Sequence, residues 1–291
     1  MNTVFLNGEF LPRDRAHLSV DDRGFLFGDG VYEVTPAYGG ELFRLARHEA
    51  RLRGGLRGLE IDDEVGSMEA VHRELLARND LLGEEMSVVY FQVTRGAAPR
   101  THHFPPPETR PTVYAYAQPF PRRDSSAWEE GSAAVTIPDG RWARADLKTL
   151  QLLPSVLAQE SARRRDARDA IFVRDGIALE GAHSNLFFVV DGTLTTHPAS
   201  NQILAGITRE AVLELAREAD LRIRERALPV EELSEVSEVF LTGTTTEVRP
   251  VVRIDGRPVG DGTPGPITRT LHEAFLELVS RECGVTLRTV T

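Results

Sequence analysis

Apolar and polar positions alternate along several short stretches of this chain and recur at helical spacing in others. Val4-Phe5-Leu6 and Phe10-Leu11 flank Asn7-Gly8, a two-residue turn signal, and predict a hairpin over residues 3–11. Val31-Tyr32-Glu33-Val34 alternates as a strand does, placing Tyr32 and Val34 on one face. Leu45, Leu52 and Leu56 share one helical stripe, and Val65, Met68, Val71, Leu75 and Leu76 define another across 62–79. Residues 86–94 and 111–117 read as strands. In the second half, strands are expected at 133–137, 170–173, 186–190, 238–241 and 248–254. Helices are expected from Pro154 to about 165, from an opening within 202–210 through Ala216, and from Ile267 to about Cys283. The Pro-rich, polar stretch 118–126 is the expected interdomain linker. It separates a small N-terminal α/β domain, 1–117, from a larger C-terminal domain, 127–291, with a mixed β core flanked by helices. The predicted class is therefore α+β or α/β with two domains.

Composition narrows the function. The chain has 291 residues, enough for two domains, with ordinary apolar (41%) and charged (27%) fractions. A net charge of −10 argues against nucleic acid or an anionic membrane as partner. The single cysteine, Cys283, excludes an intrachain disulfide and a cysteine metal cluster. The N-terminus lacks a basic region followed by an apolar core, and the longest apolar run, 186–190, is too short to span a bilayer. A cytoplasmic protein is expected.

One composition detail points to chemistry. Of the 34 Lys and Arg residues, only Lys148 is lysine, in Arg144-Ala145-Asp146-Leu147-Lys148-Thr149-Leu150-Gln151-Leu152-Leu153-Pro154. Arginine equals or betters lysine at ion pairs and phosphate contacts but cannot act as a nucleophilic amine. Leucines around Lys148 would disfavour its charged form, as a Schiff-base lysine requires. The alternative is a surface lysine at a helix start.

Other candidates are weaker singly. Tyr32 is a site tyrosine or a half-buried strand tyrosine. Gly24, Gly28 and Gly30 predict a loop with close backbone approach. The Pro-rich loop Arg95-Gly96-Ala97-Ala98-Pro99-Arg100-Thr101-His102-His103-Phe104-Pro105-Pro106-Pro107 either holds an anion through arginine or is a solvated loop. It lacks the acidic or cysteine spacing of a metal site. Glu180 ends an apolar run and needs a partner, a cationic ring nitrogen or an arginine. Thr208 either caps a helix or marks a phosphate site at that helix start. Thr242-Gly243-Thr244-Thr245-Thr246-Glu247 can present hydroxyls and N–H groups to an anion.

Taken together, the chain resembles the fold type IV pyridoxal-phosphate enzymes from about Val4 to about Phe275, and within them the D-amino acid aminotransferases. The likeness rests on Asp22-Arg23-Gly24, Phe27-Gly28-Asp29-Gly30-Val31-Tyr32-Glu33-Val34, Tyr90-Phe91-Gln92-Val93-Thr94-Arg95-Gly96, Pro99-Arg100, His102, Phe104-Pro105, Asp146 with Lys148, Glu180-Gly181, Ser184-Asn185, Thr196-His197-Pro198-Ala199, Gly206-Ile207-Thr208-Arg209 and the cluster from Thr242 to Glu247. The resemblance implies pyridoxal 5'-phosphate as cofactor, with Lys148 as the Schiff-base lysine and proton shuttle and Glu180 paired with the ring nitrogen. It implies Arg51, Ile207, Thr208, Gly243 and Thr244 around the phosphate and Leu204 on the ring face. Tyr32, Arg100, His102 and Thr245 would bind the substrate. Arg100 and His102 would reach across a homodimer to do so, and the substrates would be amino acids and 2-oxo acids. The Arg100-Thr101-His102 pattern separates this likeness from branched-chain aminotransferases and (R)-amine transaminases of the same fold, and an aminodeoxychorismate-type lyase on that fold, which would use the same lysine, is the alternative. Two departures are His183, where a serine run is common, and His103 beside His102.

Overall fold

The chain first reverses at Asn7-Gly8. In the computed structural model, which describes residues 2–62, 65–122 and 125–287, Asn7 (φ 49°) and Gly8 (φ 96°) join β1 (Thr3–Leu6) to β2 (Glu9–Pro12). Positive φ at both turn residues gives the twist that the two strands need. The described residues up to Arg122, with Leu147–Gln151 and Cys283–Val285, form one compact unit; the other described residues form a second.

The first unit continues with α1 (Arg23–Phe27), β3 (Gly30–Tyr38), β4 (Glu41–Leu42), α2 (Leu45–Gly58), α3 (Met68–Arg78), β5 (Met86–Thr94) and β6 (Thr112–Pro119). Its six strands form an antiparallel sheet in the order β2-β1-β6-β5-β3-β4. One face carries Phe5, Val31, Val89, Phe91 and Val93. It is buried with Leu52 and Leu56 of α2 and Val71, Leu75 and Leu76 of α3. Strand alternation therefore sends Tyr32, Tyr90, Tyr114 and Tyr116 to the opposite, half-exposed face.

Three expectations change here. The glycine-rich stretch is not all loop: Asp22 caps α1, its Oδ1 accepting from Gly24 N at 2.8 Å, and Gly28 ends it in the left-handed conformation. Five residues are too few to show helical periodicity. The helix expected over 62–79 begins at Met68, after Ser67 accepts from Ala70 N at 3.2 Å. Val65 is buried ahead of it, and Asp63 and Glu64 lie outside the described residues. In the stretch 118–126, Gln118 and Pro119 finish β6 and Ser125 opens α4 (Ser125–Glu129), while Arg123 and Asp124 lie outside the described residues.

After α4 the second unit runs through β7 (Ser132–Pro138), α5 (Leu153–Arg164), β8 (Asp169–Arg174), β9 (Ile177–Gly181), β10 (Asn185–Val190), β11 (Thr193–Thr196), α6 (Ile207–Glu218), β12 (Ile223–Glu225), β13 (Leu228–Pro229), β14 (Glu238–Gly243), β15 (Glu247–Ile254), β16 (Arg257–Pro258) and α7 (Pro266–Cys283). The sheet order is β12-β11-β10-β14-β15-β7-β8-β9-β13, with β7 parallel to β8 and to β15. A further pairing of Asn185 with Glu180 joins β10 to β9 and closes the central strands into a ring. Leu186, Phe188, Val239, Leu241 and Val251 pack in its core. Among the described residues, no helix is long and apolar enough to cross a membrane, and no group of three or more acidic, His or Cys side chains is arranged to hold a metal.

Candidate active site

Lys148 lies in the first unit, on a short segment laid antiparallel against the start of β3. Tyr32 N donates to the Lys148 carbonyl at 3.0 Å, Leu150 N donates to the Gly30 carbonyl at 3.0 Å, and Val31 bridges Thr149. Two glycines permit this approach. A Cβ at Gly30 would lie 2.4 Å from the Val93 oxygen and 2.8 Å from Leu150 Cδ1, and one at Gly58 would lie 2.7 Å from Leu147 Cδ2. The lysine Nζ sits 4.3 Å from the centre of the Tyr32 ring, which stacks on Tyr90 at 5.5 Å. The sequence predicted a lysine enclosed by leucines. Leu147 lies against Gly58 and Leu150 against Gly30, but Leu152 and Leu153 are exposed and Lys148 is half-buried. Adjacency in a non-helical segment does not fix which way side chains point.

Beside Tyr32 the same strand carries Glu33, fully buried. Arg51 of α2 grips it with a fork, Nε to Oε1 at 2.7 Å and Nη2 to Oε2 at 2.8 Å, and His48 Nδ1 lies 2.8 Å from Oε2. Burial pushes the Glu33 carboxyl up, but the Arg51 charge and the hydrogen bonds from Arg51 and His48 outweigh it and hold it well below the usual range. Burial is likewise the larger influence on His48 and lowers it, against the pull of Glu33, so the ring is neutral near pH 7. Arg51 is thus fixed in direction by a carboxylate that the sequence reading did not connect to it.

Arg100 and His102 cluster around Phe27 of α1. The Arg100 guanidinium carbon is 5.2 Å from that ring centre and the His102 ring 5.9 Å from it. Both residues are exposed, as is His103.

The second unit holds Glu180, at the end of β9 and 4% exposed. Arg141 Nη1 donates to Oε1, Asn185 Nδ2 donates to Oε2 at 2.9 Å, and Leu204 N donates to both oxygens at 3.2 Å. Arg141 is itself held by Asp139, which also pairs with Arg174 at 2.8 Å. Burial pushes the Glu180 carboxyl up to about 7, against the opposing pull of Arg141 and of the Leu204 N–H. Of the two partners the sequence left open, an arginine is the one found within this chain. Arg141 was missed as a site residue; its signal was the Asp139-Gly140-Arg141 spacing, which lets Asp139 bond both the backbone N–H and the side chain of Arg141.

At α6 the helix starts two residues earlier than a Thr208 cap requires. Gly206 is the cap, no side chain bonds there, and Ile207 and Thr208 are buried in the first turn. The capping alternative for Thr208 is therefore set aside. Nearby in sequence and sheet, the hydroxyls of Ser184, Thr242 and Thr246 are buried with no hydrogen-bond partner among the described residues. Gly243 ends β14 and Thr244 and Thr245 open the turn to β15, all three half-buried. Uncapped N–H groups at a buried helix start, together with unsatisfied hydroxyls, make a set of donors suited to a phosphate. A phosphate-bearing cofactor fits the chemistry of these donors, and an aldehyde fits that of the Lys148 amine. A Cβ at Gly206 would lie 1.9 Å from Asn185 Oδ1. Gly206→Ala therefore displaces the amide that holds Glu180, and we expect a loss of about 1–3 kcal/mol in stability with weaker cofactor binding. Thermal unfolding and cofactor titration check this; unchanged values for both contradict it.

Known proteins resemble this chain over most of its length. The amino-transferase class IV family model matches residues 30–254. A D-alanine aminotransferase of Staphylococcus haemolyticus is 42% identical over 277 residues, 94% of this chain and 97% of that protein. One from Bacillus licheniformis is 38% identical over 284 residues, 98% and 99% of the two chains. Among solved structures, the Escherichia coli branched-chain amino acid aminotransferase superposes with a TM-score of 0.87 at 28% identity, covering 97% of this chain and 95% of that one.

Proposed function

Since the chain belongs to the class IV aminotransferase family, we propose that it transfers amino groups between D-amino acids and 2-oxo acids, with D-alanine or D-glutamate as donor and pyruvate or 2-oxoglutarate as acceptor. The likeness to D-alanine aminotransferases along nearly the whole chain carries this reading. The proposed cofactor is pyridoxal 5'-phosphate. Bound, it supplies an aldehyde for amines and a ring that accepts electrons from the substrate Cα.

The chain's own residues then have distinct tasks. Lys148 offers the free amine and, at Nζ, the group that takes and returns the Cα proton. Glu180 supplies the anion for the ring nitrogen, oriented by Asn185 and the Leu204 N–H. Arg51, aimed by Glu33, and the N–H groups of Ile207 and Thr208 with Gly243 and Thr244 take the phosphate. The Leu204 side chain packs on the ring. Tyr32, Arg100, His102 and Thr245 bind the substrate, with Arg100 and His102 serving the site of a second copy in a homodimer.

A donor panel tests the reading. With 2-oxoglutarate as acceptor, D-alanine and D-glutamate should be turned over, and L-alanine and L-leucine should not. Preferential use of L-leucine would place the chain with the branched-chain enzymes. Pyruvate release from aminodeoxychorismate without a keto-acid acceptor would make it a lyase.

A further inference from the structure

The motif from Asp22 to Gly30 and the Thr94-Arg95-Gly96 step have no task in the scheme above, yet they build a densely bonded charge cluster in the first unit. Arg23 has a side chain only 5% exposed. Its Nε donates to Asp29 Oδ2 at 2.8 Å, and its Nη1 donates to the carbonyls of Thr101 at 2.9 Å and His103 at 3.3 Å. Those carbonyls flank His102 on either side. Asp29 is shared: Arg95 donates to Oδ2 at 2.8 Å and Oδ1 at 3.1 Å, and also to the carbonyls of Leu59 and Glu60 at the end of α2. Thr94 and Gly24 lock the base of the cluster. Thr94 Oγ1 bonds the capping carboxylate of Asp22 at 3.0 Å, and a Cβ on Gly24 would lie 2.3 Å from Thr94 Cγ2.

The loop that Arg23 holds is neither helix nor strand between Pro99 and Pro105. Its residues ring Phe27, which Arg23 also covers, with the guanidinium carbon 4.7 Å from the ring centre. A buried arginine bonding two backbone carbonyls restrains the Thr101–His102 and His103–Phe104 peptide planes, and so the stretch that carries His102. Charge-assisted bonds of this kind are stronger than neutral ones.

We propose that Arg23, braced by Asp29, is a positioning residue: it sets the course of the 100–103 loop, and through it the affinity for the substrate carboxylate, without touching substrate. The proposal rests on the reading of Arg100 and His102 as carboxylate-binding residues, and the test separates the two.

Arg23→Gln, Arg100→Ala and the double variant are compared as cofactor-loaded full chains. Each is assayed with D-alanine and with a primary amine lacking a carboxylate, and backbone hydrogen exchange is followed over 97–106. Arg23→Gln should raise KM for D-alanine about tenfold, the order expected for losing a hydrogen bond to a charged group. Its kcat and its KM for the amine should stay within about twofold, and exchange in the loop should quicken. Added to Arg100→Ala, it should cost less than about twofold more, because both changes act through the same contact. Equal losses with both donors, unchanged loop exchange, or fully multiplicative effects overturn the proposal. If Arg100→Ala fails to discriminate between the donors, the carboxylate reading falls, and loop exchange in Arg23→Gln still decides whether Arg23 holds the loop. Should Arg23→Gln not fold, Arg23→Lys takes its place. It keeps the charge but not the fork, so the same changes are expected in smaller measure, and their absence overturns the proposal.

Discussion

Lys148→Arg abolishes amino-group transfer while leaving the fold intact. Arginine keeps the positive charge and nearly the length of lysine, so the contact over the Tyr32 ring and the backbone bonds to Gly30 and Tyr32 survive. What is lost is an amine that can shed its proton. A positioned acid–base group alone contributes roughly 10²–10⁴-fold. Losing the nucleophile as well should lower kcat by at least about 10⁴-fold. The measurement is kcat with D-alanine and 2-oxoglutarate beside the thermal unfolding curve. Residual turnover within tenfold of wild type at an unchanged melting temperature removes Lys148 from the chemistry.

Glu180→Gln should give the second largest effect. The replacement keeps the shape and an oxygen for Asn185 but removes the anion opposed to the ring nitrogen. Fixed charges aimed at developing charge are worth roughly 10²–10³-fold in kcat, and a fall of that order is expected. The substitution also has a pH signature in the cofactor-free protein. The Glu180 carboxyl is raised in the folded state, to about 7, chiefly by burial. The folded chain therefore binds more protons than the unfolded chain between the ordinary carboxyl range and pH 7. The resulting stabilisation is fully present below the unfolded pKa and is lost as pH rises through the folded one. Glu180→Gln lacks this loss, so its melting temperature should gain on wild type as the pH goes from about 5 to about 8. A constant difference across that window contradicts the account of Glu180 as a carboxyl whose ionised form is disfavoured by burial.

Much of the site could be read from the sequence because it depends on residue type and local order. Lysine is used once in the chain, so Lys148 stands out by chemistry alone. Glu180 is recognisable as a carboxylate at the end of an apolar strand. The strands over 86–94 and 111–117 were legible from their composition, and alternation over 31–34 puts Tyr32 on one face with Val34, the half-exposed one. The parts that were not legible are long-range. Arg141 meets Glu180 across 39 residues of chain, and Arg23 meets Thr101 and His103 across 78 and 80. No periodicity encodes such pairs. The Glu33–Arg51 fork joins a strand to a helix, and each residue alone reads as an ordinary charged position. Thr208 was ambiguous for a local reason: a threonine near a helix start is most often a cap, but here Gly206 holds that position and brings no side chain to it.

The central claim is that a single amine, that of Lys148, binds the cofactor aldehyde. The most direct measurement is borohydride reduction of the cofactor-loaded protein followed by peptide mass analysis. The account predicts one reduced phosphopyridoxyl group per chain, carried on the peptide containing Lys148 and absent from Lys148→Arg. A protein that retains no cofactor after reduction and unfolding, or carries it on the terminal amine instead, contradicts the account.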